Sequence, residues 1–175
     1  MKSLLCIITL AAAASFFSPV SALEPGFKEY YNPKLHFRFT YPENWTVEDA
    51  KRGDAYVRLF APQQGASTFR NMIEITRQAV AAGTAFPAWA EAQTGPLKKA
   101  YPSLTSTGGG PVVIHGKNAY LSSYVIELEG VKGTLTRVYS LQGDLLITCT
   151  LVAEAGKLET LMPVLQNAMN SVKPD

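Results

Sequence analysis

Apolar and polar residues alternate with a period of two through most of this chain, and the period lengthens to that of a helix in two stretches. The first alternating run is Leu35-His36-Phe37-Arg38-Phe39-Thr40. It puts Leu35, Phe37 and Phe39 on one face of a strand and His36, Arg38 and Thr40 on the other. Tyr41-Pro42-Glu43-Asn44 is expected to end it, because Pro42 has no N–H for a ladder and fixes φ near −65°. Trp45-Thr46-Val47 resumes the extended course, with Trp45 folded back onto the core. Glu48 to Asp54 reads as a charged loop, Tyr56 to Phe60 as a strand closed by Ala61-Pro62, and Met72 to Thr76 as another, with Phe69 able to open it.

From Ala85 to Tyr101 the residues Phe86, Trp89, Ala90, Leu97, Ala100 and Tyr101 recur at helical spacing, with Thr84 as amino-terminal cap. Gly95-Pro96 predicts a break there, since proline removes a backbone donor and crowds the preceding turn. Gly108-Gly109-Gly110-Pro111 predicts a flexible turn between two short extended pieces, Leu104 to Thr107 and Val112 to Ile114. Three long strands follow, Asn118 to Leu128, Thr134 to Gln142 and Leu145 to Val152. Gly143-Asp144 joins the last two as a two-residue hairpin turn. The tail carries Leu158, Leu161, Met162, Leu165, Ala168, Met169 and Val172 as an amphipathic stripe. Pro163 suggests that its regular helix starts near Thr160, which leaves the proline in the first turn. The fold class is therefore α+β, an antiparallel β-sheet flanked by helices.

The first residues change where this domain is expected to work. Lys2 gives a positive start, Leu4 to Ala14 a short apolar core, and Val20-Ser21-Ala22 the small residues that a signal peptidase requires. Residues 1–22 thus read as a secretory signal and 23–175 as a single domain of about 150 residues, in an exported protein. The apolar run falls short of the roughly 20 residues a helix needs to span a bilayer, so no permanent membrane anchor is expected. Cys6 lies inside that run and is not read as a lipid attachment site.

Hydrophobic residues make up 47% of the chain and charged residues 17%, a globular balance. Without Lys2, the expected mature domain is nearly neutral, and its adjacent basic pairs are Lys51-Arg52 and Lys98-Lys99. That is no basic stripe, so nucleic acid is not an expected partner. Cys149 remains the one cysteine after cleavage; no internal disulfide is expected, and its alternation with Leu145, Ile147 and Leu151 makes it a core residue.

Candidate chemistry is sparse. His36 lies on a polar strand face and His115 before Gly116 at a turn, and neither has a second histidine or cysteine at ligand spacing, so no metal or other cofactor is expected. No serine stands in a Gly-x-Ser-x-Gly turn, and the Gly108–Gly110 run lacks the following lysine and hydroxyl of a phosphate loop. Tyr30, Tyr31, Tyr41, Tyr56, Tyr120, Tyr124 and Tyr139 would form a surface for an apolar peptide if several shared an exposed sheet face.

The string Phe37-Arg38-Phe39-Thr40-Tyr41-Pro42-Glu43-Asn44-Trp45 resembles the Phe-x-hydrophobic-x-Tyr-Pro-x-x-Trp entry of the PsbP-like superfamily. That group includes a photosystem II subunit, a Ran-binding nuclear import factor and bacterial periplasmic DcrB-like proteins. Element order across 23–175 is similar as well, down to Asn170-Ser171-Val172 at the end of the last helix. The resemblance implies an α/β/α sandwich that binds rather than catalyses, and the leader favours the periplasmic DcrB-like branch.

Together these observations predict a non-enzymatic, exported binding or assembly module. Its expected partner is an envelope protein or an apolar peptide, met through a sheet face or the loops Glu48 to Asp54 and Ala61 to Thr68. His36 and Arg38 are the candidate contact residues. The rival is a small-ligand carrier or enzyme whose site is assembled from distant residues, such as His115 near Tyr124 or Arg137.

Overall fold

The computed structural model describes residues 26–32, 37–49, 55–81, 83, 85–114, 116–128 and 130–174. Ten strands and three helices follow in order among the described residues. They are β1 (Phe27–Asn32), β2 (Phe37–Pro42), β3 (Thr46–Asp49), β4 (Ala55–Phe60), β5 (Met72–Ala79), α1 (Phe86–Ala92), α2 (Thr94–Ala100), β6 (Thr105–Ile114), β7 (Lys117–Leu128), β8 (Val131–Gln142), β9 (Leu145–Glu154), α3 (Leu158–Ser171) and β10 (Lys173–Pro174). The expected α+β class holds: a seven-stranded antiparallel sheet in the order β3-β4-β5-β9-β8-β7-β6 carries helices on both faces.

The meander β6 to β9 builds half of this sheet through short connections. Gly143-Asp144 closes the β8–β9 hairpin with Gln142 opposite Leu145, and Gly143 takes the positive φ of 65° that its place in the turn demands. The returning β9 then pairs with β5, so the two halves of the chain meet along one ladder from Met72↔Val152 to Ala79↔Leu145.

Alternation sorts the side chains. Val57, Leu59, Ile73, Ile75, Val138, Ile147, Cys149 and Leu151 share one face and are buried against Leu165, Ala168 and Met169 of α3. Full burial of such side chains stabilises the fold by about 1.5–3 kcal/mol each. The same core takes in Phe39 of β2, which pairs with β1 and β10 in a separate three-stranded sheet. The Tyr30 ring stacks on Phe39 at 5.0 Å, and the Thr40 N–H donates to Ser171 Oγ at 2.7 Å, tying the small sheet to α3. Trp45 is buried, as its position after Pro42 predicts.

The opposite face is covered by α1 and α2 in two apolar groups. Leu97 of α2 packs with Phe69, Tyr124, Ile126, Leu135 and Val152, while Ala90 and Trp89 of α1 pack with Tyr139 and Leu146. Gly133 is filled from outside: a Cβ there would lie 2.9 Å from Phe69 Cζ, so the ring occupies the space a side chain would take.

Three expectations require correction. Gly108–Gly110 is not a turn but the middle of β6, where pairing with β7 shifts register between Ser106 and Gly108. A Cβ on Gly109 would meet the Leu121 carbonyl at 2.7 Å, so glycine there serves a close strand approach. The break between α1 and α2 falls at Gln93, earlier than Gly95-Pro96. Pro96 therefore sits in the first turn of α2, where its missing N–H costs nothing. The last helix begins at Leu158 and holds Pro163 in its interior. Burial of Leu165, Ala168 and Met169 beyond the proline offsets the lost hydrogen bond. Thr84, expected to cap α1, lies outside the described residues.

Candidate functional site

Five residues from five adjacent strands meet in a single row on the face beneath α1 and α2. Arg58 of β4 is opposite Glu74 of β5, Glu74 opposite Thr150 of β9, Thr150 opposite Arg137 of β8, and Arg137 opposite Ser122 of β7. Partners in such a row stand about 4.5–5.5 Å apart at Cβ. The polar positions on β4, β5, β9 and β8 each adjoin a buried apolar one, for example Glu74 between Ile73 and Ile75, and Thr150 between Cys149 and Leu151. One step along the strands a second row runs Thr76, Thr148, Tyr139 and Tyr120.

These rows floor a solvent-open cleft of about 320 Å³, walled by Trp89 and Gln93 from the helices. The Trp89 ring meets Tyr139 edge-on at 5.8 Å, and Gln93 Nε2 donates to the Trp89 carbonyl at 3.4 Å. Charge in the cleft is unequally shared. Arg58 Nε donates to Glu74 Oε2 at 2.8 Å, so these two neutralise each other. Arg137 is partly buried, and among the described residues no carboxylate lies within 4 Å of it; its Nε is buried without a hydrogen-bond acceptor. The Tyr139 hydroxyl and Ser122 Oγ are likewise buried and unpartnered. Burial pushes the Tyr139 phenol pKa up. The Arg137 charge opposes that shift, as do close polar contacts of the hydroxyl with Arg137 and Ser122 that fall short of full hydrogen-bond geometry.

On the other face, beside α3, lies an apolar trough of about 140 Å³. Val112 and Ile114 of β6, Leu121 of β7 and Val138 of β8 form its floor, and Met162, Leu165 and Met169 of α3 form its wall. Gln166 is the polar residue at its rim. Two flexible thioethers in such a wall let it adapt to irregular apolar shapes.

The residues expected from the sequence are distributed differently. His36 and His115 both lie outside the described residues, so the pairing of His115 with Tyr124 or Arg137 lies outside them too. Arg38 is on β2, in the small sheet, with its guanidinium 5.3 Å from the Tyr31 ring centre. Tyr124 and Arg137 do share a face, but Tyr124 Oη is engaged with Thr94 Oγ1 at 3.0 Å. Of the two contact loops, residues 50–54 lie outside the described set, and Glu48 and Asp49 belong to β3. The other loop is pinned at its end, where Ser67 Oγ donates to Glu154 Oε1 at 3.0 Å. Among the tyrosines whose side chains are described, no exposed aromatic sheet face forms: Tyr124 and Tyr139 are buried under α1 and α2, while Tyr30 and Tyr41 pack on Phe39. Cys149 is fully buried, and burial holds its thiol far above the usual range.

Arg58, Glu74, Thr148 and Thr150 were not marked out by their spacing in sequence. The signal was present only as polar residues interrupting apolar strands, and register alone brings them together.

No protein-family model matches the sequence, and no curated protein does. Solved structures are similar at the level of fold. PsbP of the cyanobacterium Synechocystis sp. PCC 6803 superposes with a TM-score of 0.66 at 11% identity, over 90% of this chain and 100% of that one. The fold is PsbP-like. The Ran-binding protein Mog1p of Saccharomyces cerevisiae has a TM-score of 0.58 at 8% identity, with 85% and 95% covered. LpqN of Mycobacterium tuberculosis, involved in cell envelope biogenesis, has a TM-score of 0.58 at 15% identity, with 89% and 88% covered. Among the described residues no helix is long and apolar enough to cross a membrane.

Proposed function

We propose that this chain is an exported, non-catalytic binding or assembly module of the bacterial periplasm, on the DcrB-like branch of the PsbP-like superfamily. In this reading residues 1–22 are removed on export and 23–175 act as one domain on an apolar segment of an envelope protein. The observation that carries it is the trough between α3 and the β6–β8 end of the sheet, an apolar cavity in which Val112, Leu121 and Met162 are half-buried and Gln166 is the one polar lining residue. The fold lends support, since Mog1p binds Ran and LpqN is involved in cell envelope biogenesis. Arg38, on the small sheet, supplies a polar contact in the same reading, and His36 is the second candidate contact residue.

The test is a photo-reactive residue placed at Leu121 or Met162, and in a second arm at Arg38, with cross-linking in intact cells of the source bacterium. An adduct with an envelope protein is expected from the trough positions, lost in Leu121→Asp and competed by an apolar peptide. Monomer alone at native abundance overturns the reading. Amino-terminal sequencing of the protein from a periplasmic extract checks cleavage after Ala22, and an uncleaved cytosolic chain contradicts export.

A further inference from the structure

Arg137 is the feature of this fold that its own residues leave incomplete. It projects from the centre of the sheet into the cleft under Trp89, with Thr150 beside it in the row and Ser122 on its other side. The nearest carboxylate along the row is Glu74, two strands away and already held by Arg58 at 2.8 Å. A partly buried guanidinium with no counter-ion among the described residues, and an Nε with no acceptor among them, is a costly arrangement. Beside it, Tyr139 is 1% exposed and its hydroxyl is unpartnered. A guanidinium and hydroxyls able to donate to an anion thus stand close together, and among the described residues no carboxylate is free to take them.

We propose that the cleft is a binding site for a carboxylate monoanion carried on a short planar or apolar group, with Arg137 as its charge partner. The geometry selects this chemistry in three ways. Arg58 and Glu74 cancel, so the cleft carries a single net positive charge, and a dianion would face Glu74 with its second charge unpaired. The guanidinium matches a carboxylate in bidentate fashion, and the Thr148 and Thr150 hydroxyls on the cleft floor supply further donors. Trp89 is half-buried at the wall, with the buried Tyr139 ring against its edge, so one small planar group of the ligand can lie against the Trp89 ring. The volume, about 320 Å³, is at the small end of ligand sites. A free small acid and the carboxy terminus of a peptide share this chemistry. The site lies on the face opposite the apolar trough and does not depend on the function proposed for that trough.

The test is a titration of the full-length mature protein followed by NMR at the Arg137 Nε–H and the Trp89 indole N–H. Benzoate is the small-acid probe and benzamide its uncharged control. A hexapeptide ending in a free carboxylate after a phenylalanine, with its carboxy-terminal amide as control, forms the second arm. Saturable shifts of both N–H signals with benzoate are expected. In Arg137→Gln, whose unchanged amide spectrum elsewhere certifies the fold, affinity falls at least tenfold. Binding of the free-acid peptide as tightly as benzoate identifies a chain terminus as the ligand; binding of benzoate alone identifies a small acid. Absence of saturation by both carboxylate probes up to 10 mM overturns the proposal, as do equal binding of the amide controls, unchanged affinity in Arg137→Gln, or tighter binding of sulfate than of benzoate.

Discussion

Replacing Arg137 by methionine should make the ligand-free protein more stable. Methionine keeps most of the aliphatic stem and removes a charge whose Nε is buried without an acceptor. Leaving a buried donor unsatisfied costs about 1–3 kcal/mol. The side chain is only partly buried, and its outer nitrogens reach the open cleft, so the lower part of that range applies and the gain is about 1 kcal/mol. In a domain of about 150 residues this corresponds to a rise in Tm of about 3 °C. In urea it raises the midpoint by about 0.5 M at unchanged slope. Glu74→Gln is the contrast. It disrupts the Arg58 ion pair, but Arg58 is 45% exposed and recovers hydration, so stability falls by at most about 1 kcal/mol. Equilibrium urea unfolding of extensively dialysed protein, monitored by tryptophan fluorescence, separates the two. A loss of stability in Arg137→Met would refute the reasoning, because it would mean that the guanidinium is held by favourable interactions within the fold.

Two further outcomes follow from named contacts. Ser171→Ala removes the acceptor of the Thr40 N–H and should cost about 1–3 kcal/mol, with faster hydrogen exchange at Thr40 than in the main sheet; unchanged exchange there would separate the small sheet's anchorage from Ser171. Cys149 keeps its proton in the fold because burial raises its pKa above the ordinary 9.0, while the unfolded thiol ionises around that pH, so stability is fully present below it and declines above it. Near pH 9.5 the loss reaches about 1 kcal/mol. Cys149→Ala should flatten this slope between pH 8 and 9.5, and an identical slope in both proteins argues against the thiol as its source.

Much of the architecture was written in local pattern. Alternation marked strands at Tyr56 to Phe60, Asn118 to Leu128, Thr134 to Gln142 and Leu145 to Val152, and the stripe from Leu158 to Val172 marked the closing helix, each within a few residues of the observed element. Local pattern failed where a residue's role depends on a distant strand. Gly109 looks like turn chemistry until the Leu121 carbonyl stands 2.7 Å from its missing Cβ. The run at Phe37 reads as a strand but says nothing about which sheet it joins, and it pairs with β1 and β10 instead of the main sheet. The polar cleft was hidden for the same reason: Arg58, Glu74, Thr150 and Arg137 are spread over four strands, and a carboxylate beside an arginine in space leaves no trace in their spacing. Arg137 entered the sequence reading as a partner for His115; the structure gives it a different setting, next to Thr150 and Ser122.

The β5–β9 ladder has a kinetic meaning. It joins residues separated by roughly 65 to 80 positions, so closing it carries a chain-entropy cost of about 4 kcal/mol before any pairing is gained. The hairpins from β6 to β9 close loops of only two residues and can form first, offering a ready template edge on which β5 condenses late. Until that zipper closes, Ile73, Ile75 and Leu151 are bare, so the slowest step of folding is also the interval in which a newly emerged chain is most exposed to aggregation or to capture by a chaperone.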